Sequence, residues 1–266
     1  MDARSDRATL RDESHMATYV LVHGGWHGAW CWKKVIPLFE QAGHRLLTPV
    51  LTGLGEKAHL LTPEVGLSTH IEDVVQLIQE NQLNDLTLLG HSYSGMVITG
   101  VVDRIPERIR HLVYLDAVVP RDGESMADIA PMVISSLRKD ARRHGDGWRV
   151  NPPLAPFGIG GAFGVTEEPD LSWVRSLLTP QPLRTFEERL RLKDPDILSR
   201  TPRTFVRCAG KGFPAVFRAV MRRLFAPRTL APTGPGWRLR QLPTGHDCMI
   251  TMPKEMTDLL LEISSV

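Results

Sequence analysis

The sequence predicts an α/β protein with a mostly parallel central sheet, helices on both faces, and a helical cap inserted late in the sheet. Three observations predict it. From Thr18 to Ala117 short apolar runs alternate with segments of helical period, the pattern of strands joined by crossover helices. Between Pro120 and Pro202 the alternation stops for a stretch too long to be an ordinary connection. It resumes with strand-like runs and a closing helix.

The elements follow in order. TYVLVHGG reads as a buried strand ending in glycines, and WKKVIPLFEQAG as a helix with Val35, Leu38 and Phe39 inward and Gly43 at its close. HRLLTPVL is the next strand, followed by the loop TGLGEKAH. Ser68 or Thr69 is expected to cap a helix whose buried stripe is Ile71, Val74, Val75 and Ile78. LTLLGHS is a third strand, GMVITGVVDRI a helix packed on both sides, and RHLVYLDA a fourth strand. Past the insertion come a strand TFVRCA, a helix around AVFRAVMRRLF, a strand in GWRLRQLP and a last helix PKEMTDLLLEI. The expected division is a core of residues 17–119 and 202–266 and a helical cap of residues 120–201 without a clear buried strand. Residues 1–16 are left out of the expected fold: they read as a disordered leader, with residues 14–16 either a remnant of cloning or the mark of a true start at Met16.

Composition narrows the function. A chain of 266 residues suits one domain with an insertion, or two small ones, and can bury a core without staples. The net charge of +2 gives no argument for nucleic acid or a membrane surface. The 25 Arg against 7 Lys fit a GC-rich bacterial gene, and pairs such as Arg142-Arg143 read as solvated helix faces. No apolar run approaches the roughly 20 residues that span a bilayer. The first residues lack the apolar segment of a signal peptide. Three cysteines are too few and scattered for a disulfide framework or a zinc site, which fits a reducing, cytoplasmic setting. The expected partner is a small molecule, with no metal or cofactor; the sequence does not fix the oligomeric state and leaves a homodimer open.

The segment LTLLGHSYSG carries the chemistry. A buried strand runs into a sharp turn and a helix with Ser92 at the apex, the context of a nucleophile elbow. Its flanking positions must be small: Gly90 meets this, while Ser94 stands where glycine is usual and Gly95 follows. A strand-to-helix turn with a capping serine is the plain alternative. Acyl transfer also needs two backbone donors for the developing oxyanion. Tyr93, after the nucleophile, is one candidate, and Gly25 in VLVHGGWHG is the other. That loop lacks the spacing of a phosphate cradle.

In the α/β-hydrolase fold that this elbow suggests, the order is nucleophile, acid, then histidine. His246 is the sole histidine after His144 and lies between the last strand and the final helix, so it is the candidate base. The customary place for the acid, after TFVRC, is empty, because no Asp or Glu occurs between Asp196 and Asp247. Asp116, at the end of HLVYLDA, is the replacement that keeps the order. Its alternative is a structural role, binding loop amides before Pro120; the site is then a Ser–His dyad. His91 is expected to face the interior. His23, Trp26, Trp148, Phe157, Phe163 and Trp173 are candidate pocket residues, and His27 a residue at the pocket mouth. FGIGGAFG, residues 157–164, is either a lid or a plain loop.

These residues resemble a known group. VLVHGGWHGAWCWKKVIPLFEQAGHRLLTP, GHSYSGMVITGV, LVYLDAVVPRDGES and TGHDCMITMP resemble the plant methylesterase and hydroxynitrile lyase branch of the α/β-hydrolases. LTGLGEKAHL is similar to bacterial esterases of that branch, including the pyrethroid-hydrolase type. The resemblance runs from about Thr18 to the C-terminus, strong in the core and weak in the cap. It implies Ser92 as nucleophile, His246 as base, and the amides of Gly25 and Tyr93 as the oxyanion hole. The chain departs from the group at Ser94 and in lacking the late acid. Gly24 and Asp247 stand where the lyases carry Thr and Lys, which disfavours cyanohydrin cleavage. The expected reaction is hydrolysis of a carboxylic ester of a small to medium hydrophobic or aromatic compound. Non-hydrolytic biosynthetic chemistry (decarboxylation, cyclisation or lactone chemistry) and a ligand-binding role are the alternatives.

Overall fold

The inner strands of a six-stranded sheet are buried on both faces, which is what a sheet covered on both sides requires, while the two edge strands are more exposed. In the computed structural model, which describes residues 16–153, 163–210, 232 and 235–264, these strands are β1 (Thr18–Val22), β2 (Arg45–Leu47), β3 (Leu86–His91), β4 (Ile109–Leu115), β7 (Arg203–Cys208) and β8 (Trp237–Leu242). They form one sheet in the order β2-β1-β3-β4-β7-β8, and every pairing is parallel. Alternate residues of each strand go to opposite faces. Val20, Val22, Leu86, Leu88, Leu112, Tyr114 and Phe205 join one core. Tyr19, Leu21, Leu89, Val113, Leu115 and Val206 join the other.

Helices close both faces. On the first lie α2 (Leu67–Glu80), through Ile71, Val74, Val75 and Ile78, and α3 (Ser94–Arg104). On the second lie α1 (Ile36–Gln41) and the last two helices, α9 (Cys248–Thr251) and α10 (Pro253–Ser264). The segment between β4 and β7 holds α4 (Met126–Ile129), α5 (Pro131–His144), α6 (Asp170–Leu177), α7 (Arg184–Glu187) and α8 (Ile197–Arg200). Ile129, Ile134, Leu137 and Phe186 of this segment pack into the first core, and Val165 and Val174 into the second. No helix among the described residues is long and apolar enough to cross a membrane.

The structure corrects several local expectations. The second strand is confined to Arg45–Leu47, and β5 (Arg149–Val150) pairs antiparallel with β6 (Gln181–Pro182) where no strand was expected. Val150 and Gln181 are both buried, so this short pairing fixes a layer that helical period could not reveal. Neither Ser68 nor Thr69 is the cap of α2: Gly66 holds that position, and the Thr69 hydroxyl accepts its N–H from inside the first turn at 3.3 Å. The expected helix around AVFRAVMRRLF lies outside the described residues.

The strand order places the site. The chain goes from β1 outward to β2, then crosses back to β3 on the other side of β1. The connections leaving β1 and β3 therefore go to opposite faces of the sheet, and the carboxyl ends of strands at such a reversal are where ligands bind in sheets of this kind. Val22 pairs with Gly90, so the loop bearing Gly25 and the turn bearing Ser92 leave the sheet side by side.

Two glycines make the turn possible. A Cβ on Gly90 would stand 2.5 Å from the Ser94 carbonyl oxygen, and one on Gly95 would overlap the Val118 carbonyl. Both obstacles are backbone, which cannot swing away. Gly95→Ala is expected to destabilise the protein by at least about 2 kcal/mol. Chemical denaturation measures it, and an unchanged midpoint would show that β4 and α3 are not locked as they stand here.

Candidate active site

Ser92 sits between β3 and α3 with φ 56°, a conformation that L-residues adopt rarely. Its N–H donates to Leu115 O at 3.2 Å, and its carbonyl accepts from Val118 N at 3.1 Å, so the turn is tied to the strand beside it. Ser94 is fully buried, and its hydroxyl donates a short hydrogen bond to the His23 carbonyl. The serine where glycine is usual thus links the elbow to the end of β1.

Asp116 follows β4 directly, also with positive φ (45°). Its N–H donates to Val206 O at 2.7 Å, and Oδ1 accepts from the Cys208 amide at 3.2 Å. Oδ2 accepts from His246 Nδ1 at 2.7 Å. Both side chains are 25% exposed, within reach of a solute. The carboxylate fixes the hydrogen on Nδ1 and leaves Nε2 free to accept. Among the described residues the Ser92 hydroxyl makes no hydrogen bond, so it is not in contact with His246 in this conformation; contacts between a catalytic serine and its base commonly tighten only with substrate bound.

His91 stands beside His246. It is buried, its Nε2–H donates to the His246 carbonyl at 3.1 Å, and its ring lies 4.4 Å from the His246 ring. Burial holds its pKa well below the ordinary value, so it is a neutral buttress rather than a base. For His246, burial works against the proton. The Asp116 hydrogen bond and charge, with Asp247 assisting, outweigh it and raise the pKa above 6.5.

The loop after β1 is held at almost every polar atom. His23 is fully buried: Nδ1–H donates to Gly24 O at 2.9 Å and Nε2 accepts from Leu51 N at 3.2 Å. Burial drives its pKa down to about 3. The expectation that His23 lines the pocket is corrected, because both ring nitrogens are spent on backbone beneath the loop. Trp26 takes φ 63° and is fixed by the segment between β4 and β7. Its N–H donates to Gln181 Oε1 at 2.9 Å, its carbonyl accepts from Thr179 N at 3.0 Å, and its indole donates to Val150 O at 3.1 Å. Gly25 lies beside Tyr93: a Cβ there would be 3.7 Å from the Tyr93 Cβ. His70 donates through Nε2 to Thr52 O at 2.9 Å, so its Nδ1 accepts from the Tyr93 hydroxyl at 3.0 Å.

The surrounding wall is aromatic. Phe163 lies 6.0 Å from Trp26 and 6.3 Å from His246, and Phe186 lies 5.3 Å from Trp26 and 5.6 Å from Tyr93. Two expected pocket residues make other ring contacts. Trp148 is overlaid by the Arg149 guanidinium, 5.6 Å from its ring, and Trp173 packs on Trp30 at 5.4 Å. Phe157 lies outside the described residues, as does most of the expected lid. The described end of that loop is pinned to the His246 turn: Asp247 N donates to Phe163 O at 3.0 Å, and a Cβ on Gly164 would meet Gly245 Cα at 2.7 Å. Sequence reasoning missed Phe186, Gln181, His70 and the pairing of Asp247 with His27. None carries a local signal, since each acts on a partner distant in the chain.

The chain belongs to the alpha/beta hydrolase family, whose model matches residues 19–259. It is 38% identical over 254 residues to the carbendazim hydrolyzing esterase of Nocardioides sp. (strain SG-4G), covering 92% of this chain and 98% of that one. Methylesterase 8 of Arabidopsis thaliana is 25% identical over 257 residues, 92% of this chain and 89% of that one. Among solved structures, an extracellular alpha/beta-hydrolase from a Paenibacillus species, described as sharing structural and functional homology with Tobacco Salicylic Acid Binding Protein 2, superposes with a TM-score of 0.78. It is 25% identical, and the match covers 93% of this chain and 98% of that one.

Proposed function

We propose that the protein hydrolyses carboxylic esters of small to medium hydrophobic or aromatic compounds through an acyl-enzyme on Ser92. The observation that carries the reading is the Asp116–His246 hydrogen bond at the carboxyl ends of the strands, where Ser92 stands on a strained turn. His246 Nε2 takes the proton of Ser92 as its oxygen attacks the ester carbonyl. The amides of Gly25 and Tyr93 receive the oxyanion. His246, now charged and stabilised by Asp116, returns the proton to the leaving alcohol. Water repeats the sequence and frees the acid. Residues 120–201 act as a cap, supplying Phe163 and Phe186 to the pocket and Gln181 to the oxyanion loop. The carboxylesterase-type relatives favour hydrolysis over the non-hydrolytic alternative, and carbendazim is a natural first substrate beside short p-nitrophenyl esters.

The His246 pKa sets a pH signature. The base works only when neutral, so kcat/KM is expected to rise with pH along a limb whose midpoint lies above 6.5. Stability has the opposite sign. A folded-state pKa above the unfolded one contributes stability that is fully present below the unfolded value of about 6.5 and is lost as pH rises through the folded value. A pH profile of kcat/KM checks the first statement, and a midpoint below 6.5 contradicts it.

A further inference from the structure

Beside Asp116–His246 the described residues hold a second acid–histidine pair that the proposed chemistry does not use. Asp247 Oδ2 lies 3.0 Å from His27 Nε2, with the two side chains 0% and 1% exposed. The other nitrogen of that ring, Nδ1, lies 2.7 Å from the Gly25 carbonyl oxygen. The ring cannot turn freely: Trp30 stacks on it at 5.3 Å, Phe163 meets it at 4.9 Å, and His91 stands at 6.0 Å.

Donor logic assigns the protons. A carbonyl oxygen only accepts, so Nδ1 carries a hydrogen. Nε2 then faces a carboxyl oxygen, and one of those two atoms must carry a hydrogen, because two lone pairs opposed in a buried site are strongly unfavourable. The pair is neutral overall in either form, and in either form Nδ1–H stays on the Gly25 carbonyl.

That carbonyl belongs to the peptide joining Gly25 to Trp26, whose N–H is the one held by Gln181 at 2.9 Å. A trans peptide is planar, so holding both of its polar ends holds its plane. The preceding peptide, which carries the Gly25 N–H, is held through the Gly24 carbonyl by His23. We infer that His27, oriented by Asp247, is a positioning residue for the oxyanion hole: it fixes the backbone at Gly25 so that the Gly25 N–H stays aimed where the oxyanion forms. This rests on the proposed Gly25–Tyr93 hole and adds to it a polar pair that never exchanges a proton with substrate.

The test is steady-state kinetics on a p-nitrophenyl ester with wild type, Ser92→Ala, Asp116→Asn, Asp247→Asn and the double variant His27→Leu/Asp247→Leu. The double variant replaces the buried polar pair by apolar side chains and strands neither partner. Its kcat is expected to fall about 10–100-fold, short of the loss of a whole donor. Its KM is expected to stay within about threefold, because a misaimed donor is felt mainly in the transition state. In Asp247→Asn the amide donates to Nε2 and keeps Nδ1–H in place. It is expected to lose at least about a hundredfold less kcat than Asp116→Asn, where the same exchange disturbs the tautomer of the base. If the double variant is unstable, His27→Phe in the Asp247→Asn background keeps a ring against Trp30 and gives the same reading. A folded variant without the His27 donor and with wild-type kcat overturns the inference, as does an Asp247→Asn loss equal to that of Asp116→Asn. Turnover that survives Ser92→Ala brings down the acyl-enzyme reading, and the inference with it. Ser92-dependent turnover indifferent to His27 removes the inference alone.

Discussion

Ser92→Ala is expected to lower kcat by about 10⁶-fold on short p-nitrophenyl esters while leaving the fold intact. Alanine has no nucleophilic oxygen, so the covalent step is lost outright. What survives is the acceleration that an oxyanion hole and substrate binding provide without a nucleophile. The fold should tolerate the change because alanine occupies the same space at φ 56° and inherits the same backbone strain. Ser92→Gly tests that strain separately: it should be equally inactive yet slightly more stable, since glycine accepts positive φ freely. Paired kinetics and thermal unfolding read both quantities. Turnover in Ser92→Ala within tenfold of wild type would falsify the acyl-enzyme mechanism.

Asp116→Asn is the second large effect, a fall in kcat of about 10⁴-fold with little change in stability. The carboxylate holds the hydrogen on His246 Nδ1 and stabilises the ring once it is charged. An amide can offer its own N–H to Nδ1 and so push the hydrogen to Nε2, the atom that must accept from Ser92. The other Asp116 oxygen, on the Cys208 amide, is matched well enough by an amide oxygen, which is why the fold is expected to hold. The same substitution should move the acid limb of kcat/KM downward, because it removes the partner that raises the His246 pKa against burial. Near wild-type kcat in Asp116→Asn would leave a Ser–His dyad and return Asp116 to a structural role.

The parts of the candidate site that were legible in the sequence were those set by local pattern or by elimination. A buried strand entering Gly90-His91-Ser92 predicts a tight turn because the flanking residues are small, and the Gly90 and Gly95 contacts show why they must be. His246 stands out because no other histidine lies in the right part of the chain, and Asp116 because the stretch from Asp196 to Asp247 has no acid between its ends. His23 shows the limit. As a letter in the sequence it is a polar residue in a loop beside the site. Its role follows from which atoms it meets, Gly24 O and Leu51 N, and those make it a neutral brace.

The sequence by itself determined the strands of the central sheet, though not every boundary, most of the described helices that cover it and the small residues at the turn, because each depends on the period and size of neighbouring side chains. Tertiary structure decided who meets whom. Asp247 adjoins His246 in the chain yet bonds to His27, 220 positions away, and Gln181 holds Trp26 across 155. These pairings depend on the order β2-β1-β3-β4-β7-β8, which sets the ends of β1 and β3 side by side, and on the segment after β4 reaching Trp26 through Val150, Thr179 and Gln181. Periodicity fixes which face of an element is buried. It carries no information on which distant donor will stand opposite a given acceptor, and at this candidate site that matching orients the histidines and the loop after β1.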